Sequence, residues 1–125
     1  MERQFSVLSK RVIGCAIEVH KALGPGLLES MYRACLSQEL SSQQIAHKTE
    51  YPLAVRYKDL YLDCGYRIDL FVDDRIIIEL KSVDKLIPVH DAQLLTYLKL
   101  ANINQGFLMN FNVRRLRDGL KSFVL

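Results

Sequence analysis

The sequence predicts an α/β (α+β) fold in which helices come first and a β-rich region follows. Two observations support this prediction: apolar residues recur at helical spacing in the N-terminal part of the chain, and the period changes to two after residue 45. The chain has 125 residues, of which 50% are hydrophobic, and a chain of this size builds a core without disulfides or a structural metal. We therefore expect one domain over residues 1–125.

The N-terminal part of the chain predicts a pair of helices. From Phe5 to Leu23, apolar residues recur at intervals of three and four, which is typical of one face of a helix. The Gly24-Pro25-Gly26 sequence then stops this helix. A second helical stripe runs from Leu27 to Leu40. We expect the two helices to meet at the Gly-Pro-Gly corner.

The middle of the chain predicts strands joined by tight turns. Three β-rich runs follow the helices: Ile45 to Tyr57, interrupted at Pro52, then Tyr61 to Val72, then Arg75 to Lys81. Lys58-Asp59 is the expected turn between the first two runs, and Asp73-Asp74 is a hairpin turn signal between the last two.

The C-terminal part predicts one more helix and two more strands. The helix extends from about Val89 to Leu100, with Pro88 near its start. Gln105 to Phe111 is typical of a buried strand, and Arg114 to Gly119 of a short polar connection or a turn of helix. Leu120 to Leu125 is the expected last strand.

The charge and cysteine content of the chain exclude few classes of protein. The chain has 17 Lys and Arg against 14 Asp and Glu, and this net charge of +3 permits an anionic partner without demanding one. The three cysteines are widely spaced and form no metal-binding pair, so we expect free thiols in a reducing compartment. No apolar run is long enough to span a membrane, so we expect a cytoplasmic protein without membrane contact.

Charged side chains at the ends of two predicted strands are the main candidates for chemistry. Glu79 and Lys81 are two residues apart in a strand and therefore point to the same face, while Asp69 lies on the preceding strand of the same hairpin. Two converging carboxylates form the oxygen-rich kind of site that Mg²⁺ accepts, and a neighbouring lysine can position water or offset developing charge. Solvated salt bridges at the strand ends are the alternative interpretation.

These residues resemble a known superfamily. Asp69, followed after nine residues by Glu79-Leu80-Lys81, resembles the D-x(n)-(D/E)-x-K signature of the PD-(D/E)XK nucleases. The chain is also similar to a small bacterial family named for a GxxExxY motif, present here as Gly26, Glu29 and Tyr32. The resemblance implies a restriction-endonuclease-like αβββαβ core, with a mixed central sheet flanked by helices and an extra N-terminal helix.

The resemblance also implies the roles of individual residues. Asp69 and Glu79 would be metal ligands, Glu29 would be an additional carboxylate ligand, and Lys81 would be the catalytic lysine. The alternative for Glu29 is a structural role, because a carboxylate near a helix N-terminus complements the helix dipole without any metal. The implied cofactor is Mg²⁺ or Mn²⁺.

Four further residues are candidates for substrate binding. Gln93 and Tyr97 lie one turn apart on the predicted helix and resemble a Q-x-x-x-Y element that contacts substrate or the catalytic lysine. Arg114 and Arg115 belong to the densest basic cluster, which would suit phosphate contacts or be a solvated surface segment. The sequence shows no aromatic-rich platform, so base stacking is not predicted.

The sequence thus predicts a Mg²⁺-dependent nuclease that hydrolyses phosphodiester bonds, with DNA as the expected nucleic acid. The alternative is a catalytically silent module of the same fold that binds nucleic acid or a protein partner. A homodimer is a third expectation, because cutting both strands of a duplex with one site per chain requires two chains.

Overall fold

Three α-helices cover two faces of a sheet in residues 6–125, the part of the chain that the computed structural model describes. The helices are α1 (Val7–Leu23), α2 (Glu29–Ser42) and α3 (Pro88–Ala101). A short 3₁₀ turn, Leu116–Gly119, confirms the predicted turn of helix near the C-terminus. The predicted start of the first helix, Phe5, lies outside the described residues.

Local interactions set the ends of α1 and α2. The Ser6 hydroxyl accepts a hydrogen bond from the Ser9 backbone N–H at 3.0 Å and caps α1. Gly24 and Gly26 both have positive φ, at 67° and 98°, which confirms the predicted corner and explains the use of glycine there. The second helix begins at Glu29, later than the predicted Leu27, because Leu28 still has extended backbone geometry.

The strands form two separate sheets. The strands of the larger sheet are β1 (His47–Pro52), β4 (Arg67–Val72), β5 (Ile76–Lys81), β6 (Gln105–Asn110) and β7 (Leu120–Val124), in that spatial order. Its β5 and β6 are parallel and the other neighbours are antiparallel, so the sheet is mixed. This arrangement confirms the predicted α/β (α+β) fold with a mixed central sheet and an extra N-terminal helix.

The smaller sheet corrects two of the predicted strands. The expected run from Ile45 to Tyr57 divides into β1 and β2 (Val55–Tyr57), and the run from Tyr61 to Val72 divides into β3 (Leu60–Leu62) and β4. Pro52 has no N–H to continue a ladder, and Gly65 turns the chain with a φ of 81°. Strands β2 and β3 pair only with each other, and we call this hairpin the arm.

The predicted hairpin turn between β4 and β5 is present. Asp73 and Asp74 both have positive φ, at 51° and 53°, as a type I′ turn requires. The Arg75 N–H donates to the Val72 carbonyl at 2.9 Å and closes the turn. The turn places Leu70 opposite Ile78, which sets the register of every residue farther along the hairpin.

Alternate residues of β5 face two different cores. Ile76, Ile78 and Leu80 pack in the core beneath α1 and α2, whereas Ile77 packs in the core beneath α3. Because side chains alternate along a strand, Glu79 and Lys81 project towards α3. No helix in residues 6–125 has the length and apolar character that a membrane crossing would require.

Candidate active site

Strands β4 and β5 separate where Asp69 and Glu79 lie opposite each other. The last regular pair of the ladder is Leu70 with Ile78. Beyond it, the Asp69 N–H donates to Glu79 Oε2 at 3.0 Å, and the Leu80 N–H donates to Asp69 Oδ2 at 2.8 Å. Side-chain carboxylates therefore replace the carbonyl acceptors of the ladder. The structure confirms the prediction that Asp69 and Glu79 are neighbours across the two strands.

Burial places both carboxyl groups in an environment that opposes their ionisation. Glu79 is 4% exposed. Burial, followed by the negative charge of Asp69, raises the pKa of Glu79 to about 8. Burial likewise raises the pKa of Asp69, although its hydrogen bond from Leu80 and the positive charge of Arg33 oppose the shift. A proton or another positive charge beside Asp69 and Glu79 would therefore be stabilised by these two carboxyl groups.

Lys81 lies on the same face as Glu79 and joins a hydrogen-bonded chain to α3. Its Nζ donates to Gln93 Oε1 at 3.2 Å, and Gln93 Nε2 donates to the Tyr97 hydroxyl at 3.1 Å. The helical spacing of Gln93 and Tyr97 places both on the face of α3 that meets the sheet. The structure thus brings these three predicted residues together.

Glu29 reaches the same edge of the sheet from the start of α2. Its Oε2 accepts a hydrogen bond at 3.2 Å from the N–H of Ser82, the residue that follows Lys81. Its negative charge contributes to the raised pKa of Asp69. In residues 6–125, however, no three His, Cys, Asp or Glu side chains converge closely enough to form a metal-binding cluster.

Tyr32 explains why the chain before Glu29 has a defined shape. Its hydroxyl accepts a hydrogen bond from the Leu27 N–H at 3.1 Å and donates one to the Gly24 carbonyl at 2.6 Å. The ring is fully buried and stacks on Phe111, with centroids 4.5 Å apart. Tyr32 is therefore a core residue that holds the loop leading to Glu29.

Arg33 is a residue of the site that was not predicted from the sequence. Its guanidinium lies 3.4 Å from Asp69 Oδ1 and 3.6 Å from Glu50 Oε1. Glu50 has a φ of 47° within β1, a conformation that residues other than glycine rarely adopt. The signal that identifies Arg33 is its position one helical turn after Glu29, which places the two side chains on the same face of α2.

Arg114 and Arg115 lie apart from the carboxylates. Both line a cavity of about 440 Å³ beside the C-terminal end of α1, which Lys21 and Arg117 also line. Neither arginine forms a hydrogen bond or ion pair with Asp69 or with another of the acidic site residues in the described part of the chain. Lys121, the next basic residue after Arg117 in the sequence, is paired with Asp91, at 2.8 Å.

Comparison with known proteins agrees with this geometry. A sequence model of the PD-(D/E)XK nuclease superfamily matches residues 6–123. No curated protein and no solved structure gives a match. Nucleases of this superfamily typically use divalent metal ions and bind nucleic acid. The match covers almost all of the described residues, and the chain belongs to the PD-(D/E)XK nuclease superfamily.

Proposed function

We propose that this protein is a divalent-metal-dependent nuclease that hydrolyses phosphodiester bonds, with DNA as the expected substrate. The observation that carries the proposal is the carboxylate pair formed by the half-buried Asp69 and the buried Glu79, beside Lys81. We further propose that residues 1–125 form one nuclease domain. Its GxxExxY motif supports placement in the bacterial family of that name.

The donor set fits a hard divalent cation. Asp69 and Glu79 would hold Mg²⁺ or Mn²⁺ through carboxylate oxygens, and Glu29 would contribute a third carboxylate from α2 once its side chain leaves the Ser82 N–H and turns towards the ion. Burial raises the pKa of both strand carboxyl groups, and the negative charge of Asp69 raises the pKa of Glu79 further, so a bound cation would relieve an electrostatic cost. Such an ion supplies a Lewis acid for the phosphate and lowers the pKa of a water molecule.

Lys81 would act on the phosphate and on the attacking water. A lysine amine can offer up to three donors, of which Gln93 Oε1 accepts one here. The remaining donors can orient water or offset the negative charge that develops on the phosphate oxygens. Tyr97 would act by fixing the amide of Gln93, so it is a positioning residue in this proposal.

Substrate contacts beyond the carboxylates would come from the basic cavity. Arg114 and Arg115, with Lys21 beside them, present positive charge at the C-terminal end of α1. Phosphate groups of a bound strand are the natural partners for such a surface. A homodimer would supply the second active site that cleavage of both strands of a duplex requires.

The ion pair between Arg33 and Asp69 favours a second candidate function. Arg33 already provides positive charge to one of the proposed metal ligands, at 3.4 Å. A protein in which this arginine permanently replaces the metal would be a catalytically silent module of the nuclease fold. Such a module would bind nucleic acid or a protein partner without cleaving it.

A cleavage assay separates the two functions. The protein is incubated with single- and double-stranded DNA and RNA in Mg²⁺ or Mn²⁺, alongside a Lys81→Ala variant purified identically. We expect cleavage by the parent and its loss in the variant. If neither protein cleaves any substrate and calorimetry detects no metal binding, the silent module is the correct description.

A further inference from the structure

A cavity of about 350 Å³ lies between α3 and the arm, next to the proposed active site. Its volume is in the range of small-ligand sites. Its wall is uncharged, and it consists of the following side chains: Val55, Tyr66, Val89, Ala92, Gln93, Thr96, Tyr97 and Leu100. The absence of charge from this wall makes it unsuited to a phosphate group and suited to a neutral, flat, partly polar ligand.

Two tyrosine rings provide the aromatic part of this cavity. The rings of Tyr66 and Tyr97 meet edge to face, with centroids 6.2 Å apart and an interplanar angle of 67°. Tyr97 is buried, whereas Tyr66 is 46% exposed, so one ring face of Tyr66 remains available to a ligand. Any nucleobase can stack on such a ring, because every base has a π face.

Gln93 makes the cavity continuous with the proposed reaction site. The same side chain that lines the cavity accepts a hydrogen bond from Lys81 Nζ at 3.2 Å. A nucleotide whose phosphate lies at Lys81 would therefore have its own base, or an adjacent one, within reach of Tyr66. The amide of Gln93 and the hydroxyl of Thr96 offer polar contacts to the edge of that base.

The arm extends this apolar wall outward. Val55 and Tyr57 are two residues apart in β2 and pair with Leu62 and Leu60 of β3, so the four side chains share one face. Tyr57 is exposed, and Lys58 Nζ lies 5.3 Å from the centre of its ring. An aromatic ring beside a cation suits the next base and phosphate of a flexible strand.

We propose that this cavity binds an unpaired nucleobase of the substrate, and that the preferred substrate is therefore single-stranded nucleic acid. The inference rests on the proposed nuclease function, because it names the substrate of that site. A base within a duplex is stacked and paired and cannot enter the cavity without being extruded. Single-stranded substrate carries no such cost.

Binding to labelled oligonucleotides tests this inference. Affinities of the full chain for a single-stranded DNA oligonucleotide, and for the duplex of the same sequence, are measured by fluorescence anisotropy in EDTA. The parent should bind the single strand more tightly. Tyr66→Ala should weaken single-strand binding about ten-fold, in line with the effect of removing one stacking partner, and should leave duplex binding unchanged.

Three variants serve as controls and as an independent check. Tyr66→Phe keeps the ring and should bind as the parent does. Tyr61→Ala removes an exposed tyrosine from the opposite face of the arm and should have no effect. Ala92→Leu fills the cavity at an exposed helical position where both residues favour helix, and it should weaken single-strand binding without unfolding the protein.

Two results would overturn the inference. The first is a parent that binds the single strand and the duplex with equal affinity, together with a Tyr66→Ala variant whose two affinities are the same as those of the parent. The other is a Tyr66→Ala variant that changes from dimer to monomer in sedimentation velocity while binding both oligonucleotides as before, which would show that a second copy of the chain covers the cavity.

The cleavage assay with Lys81→Ala distinguishes failure of this inference from failure of the proposed function. If the parent cleaves duplex in a Lys81-dependent manner and Tyr66→Ala cleaves at the same rate, the nuclease function stands and the base-binding cavity is wrong. If nothing is cleaved but Tyr66→Ala still loses single-strand binding, the cavity is supported and the catalytic proposal is wrong.

Discussion

Asp69 and Glu79 each satisfy the backbone of the opposite strand with a side-chain carboxylate. Asp69 accepts from the N–H of Leu80, and Glu79 accepts from the N–H of Asp69. These contacts let β4 and β5 diverge without leaving buried N–H groups unpaired, which would be costly. The same divergence brings the half-buried Asp69 and the buried Glu79 together, so one local feature of the strands produces both the exchanged hydrogen bonds and the acidic site.

The pKa of Glu79 predicts that the metal-free protein loses stability as the pH rises. The folded-state pKa, about 8, is above the ordinary value of 4.5, so the folded protein binds the proton more tightly than the unfolded chain does. The stabilisation that comes from the protonated Glu79 carboxyl group is complete below pH 4.5 and is lost as the pH rises to about 8. We expect a loss on the order of 2–4 kcal/mol in urea unfolding with EDTA.

Glu79→Gln is the matched variant for this prediction. The amide keeps an oxygen that can accept from the Asp69 N–H but removes the charge. We expect its free energy of unfolding to depend less on pH than that of the parent, and to exceed it near pH 8. The prediction is wrong if the two proteins lose stability in parallel over this range.

Tyr97→Phe should slow cleavage through the orientation of Gln93. The substitution removes the hydroxyl that accepts from Gln93 Nε2, so the amide is free to rotate away from Lys81. We expect kcat to fall about five-fold, the value of one hydrogen bond, with KM nearly unchanged because the ring remains. Tyr61→Phe, at an exposed position of the arm, is the control. An unchanged kcat would contradict the positioning role.

Arg33→Met should increase the affinity of the site for a divalent cation. Arg33 lies 3.4 Å from Asp69 Oδ1, so its charge competes with a metal for that carboxylate. Because both side chains are partly exposed, we expect an effect of about 1 kcal/mol, or roughly five-fold in the Kd for Mn²⁺ by calorimetry. Glu50→Gln removes the other partner of Arg33 and leaves Asp69 intact. Weaker Mn²⁺ binding by Arg33→Met would instead show that the arginine supports the metal site.

Tyr32→Phe should destabilise the protein through the loop before α2. The variant removes the hydroxyl that bonds both the Leu27 N–H and the Gly24 carbonyl, and this hydroxyl belongs to a fully buried side chain. We expect a loss of about 1–3 kcal/mol in the free energy of unfolding. Tyr51→Phe is the control, because Tyr51 makes a ring contact with Phe71 that the substitution preserves. Equal stability of the two variants would exclude a structural role for the Tyr32 hydroxyl.

Local patterns in the sequence predicted most of the helices and strands. The helical stripes, the Gly-Pro-Gly corner and the Asp73-Asp74 turn are confirmed, because each depends on residues close together in the chain. The turn of the arm at Lys58-Asp59 is also confirmed, but the separation of the arm from the main sheet was missed because its strands adjoin those of the main sheet in sequence. Only the break at Pro52 indicated that the first run would divide, and the second break, near Gly65, was not predicted.

Contacts between distant elements could not be predicted in the same way. Arg33 reaches Asp69 from another element, and the basic cavity of Arg114 and Arg115 is separate from the acidic pair. The tyrosines of the cavity, Tyr66 and Tyr97, come from segments that the chain separates widely. The sequence therefore showed no aromatic cluster.

By itself, the sequence determined that Asp69, Glu79 and Lys81 would lie on adjacent strands joined by a tight turn. Strand alternation and turn chemistry are local properties, so they require no knowledge of the rest of the fold. Only the tertiary structure decided which groups surround these three residues. Packing α2 on one face of the sheet and α3 on the other brings Arg33 to Asp69 and Gln93 to Lys81, because side chains distant in sequence meet only where elements pack together.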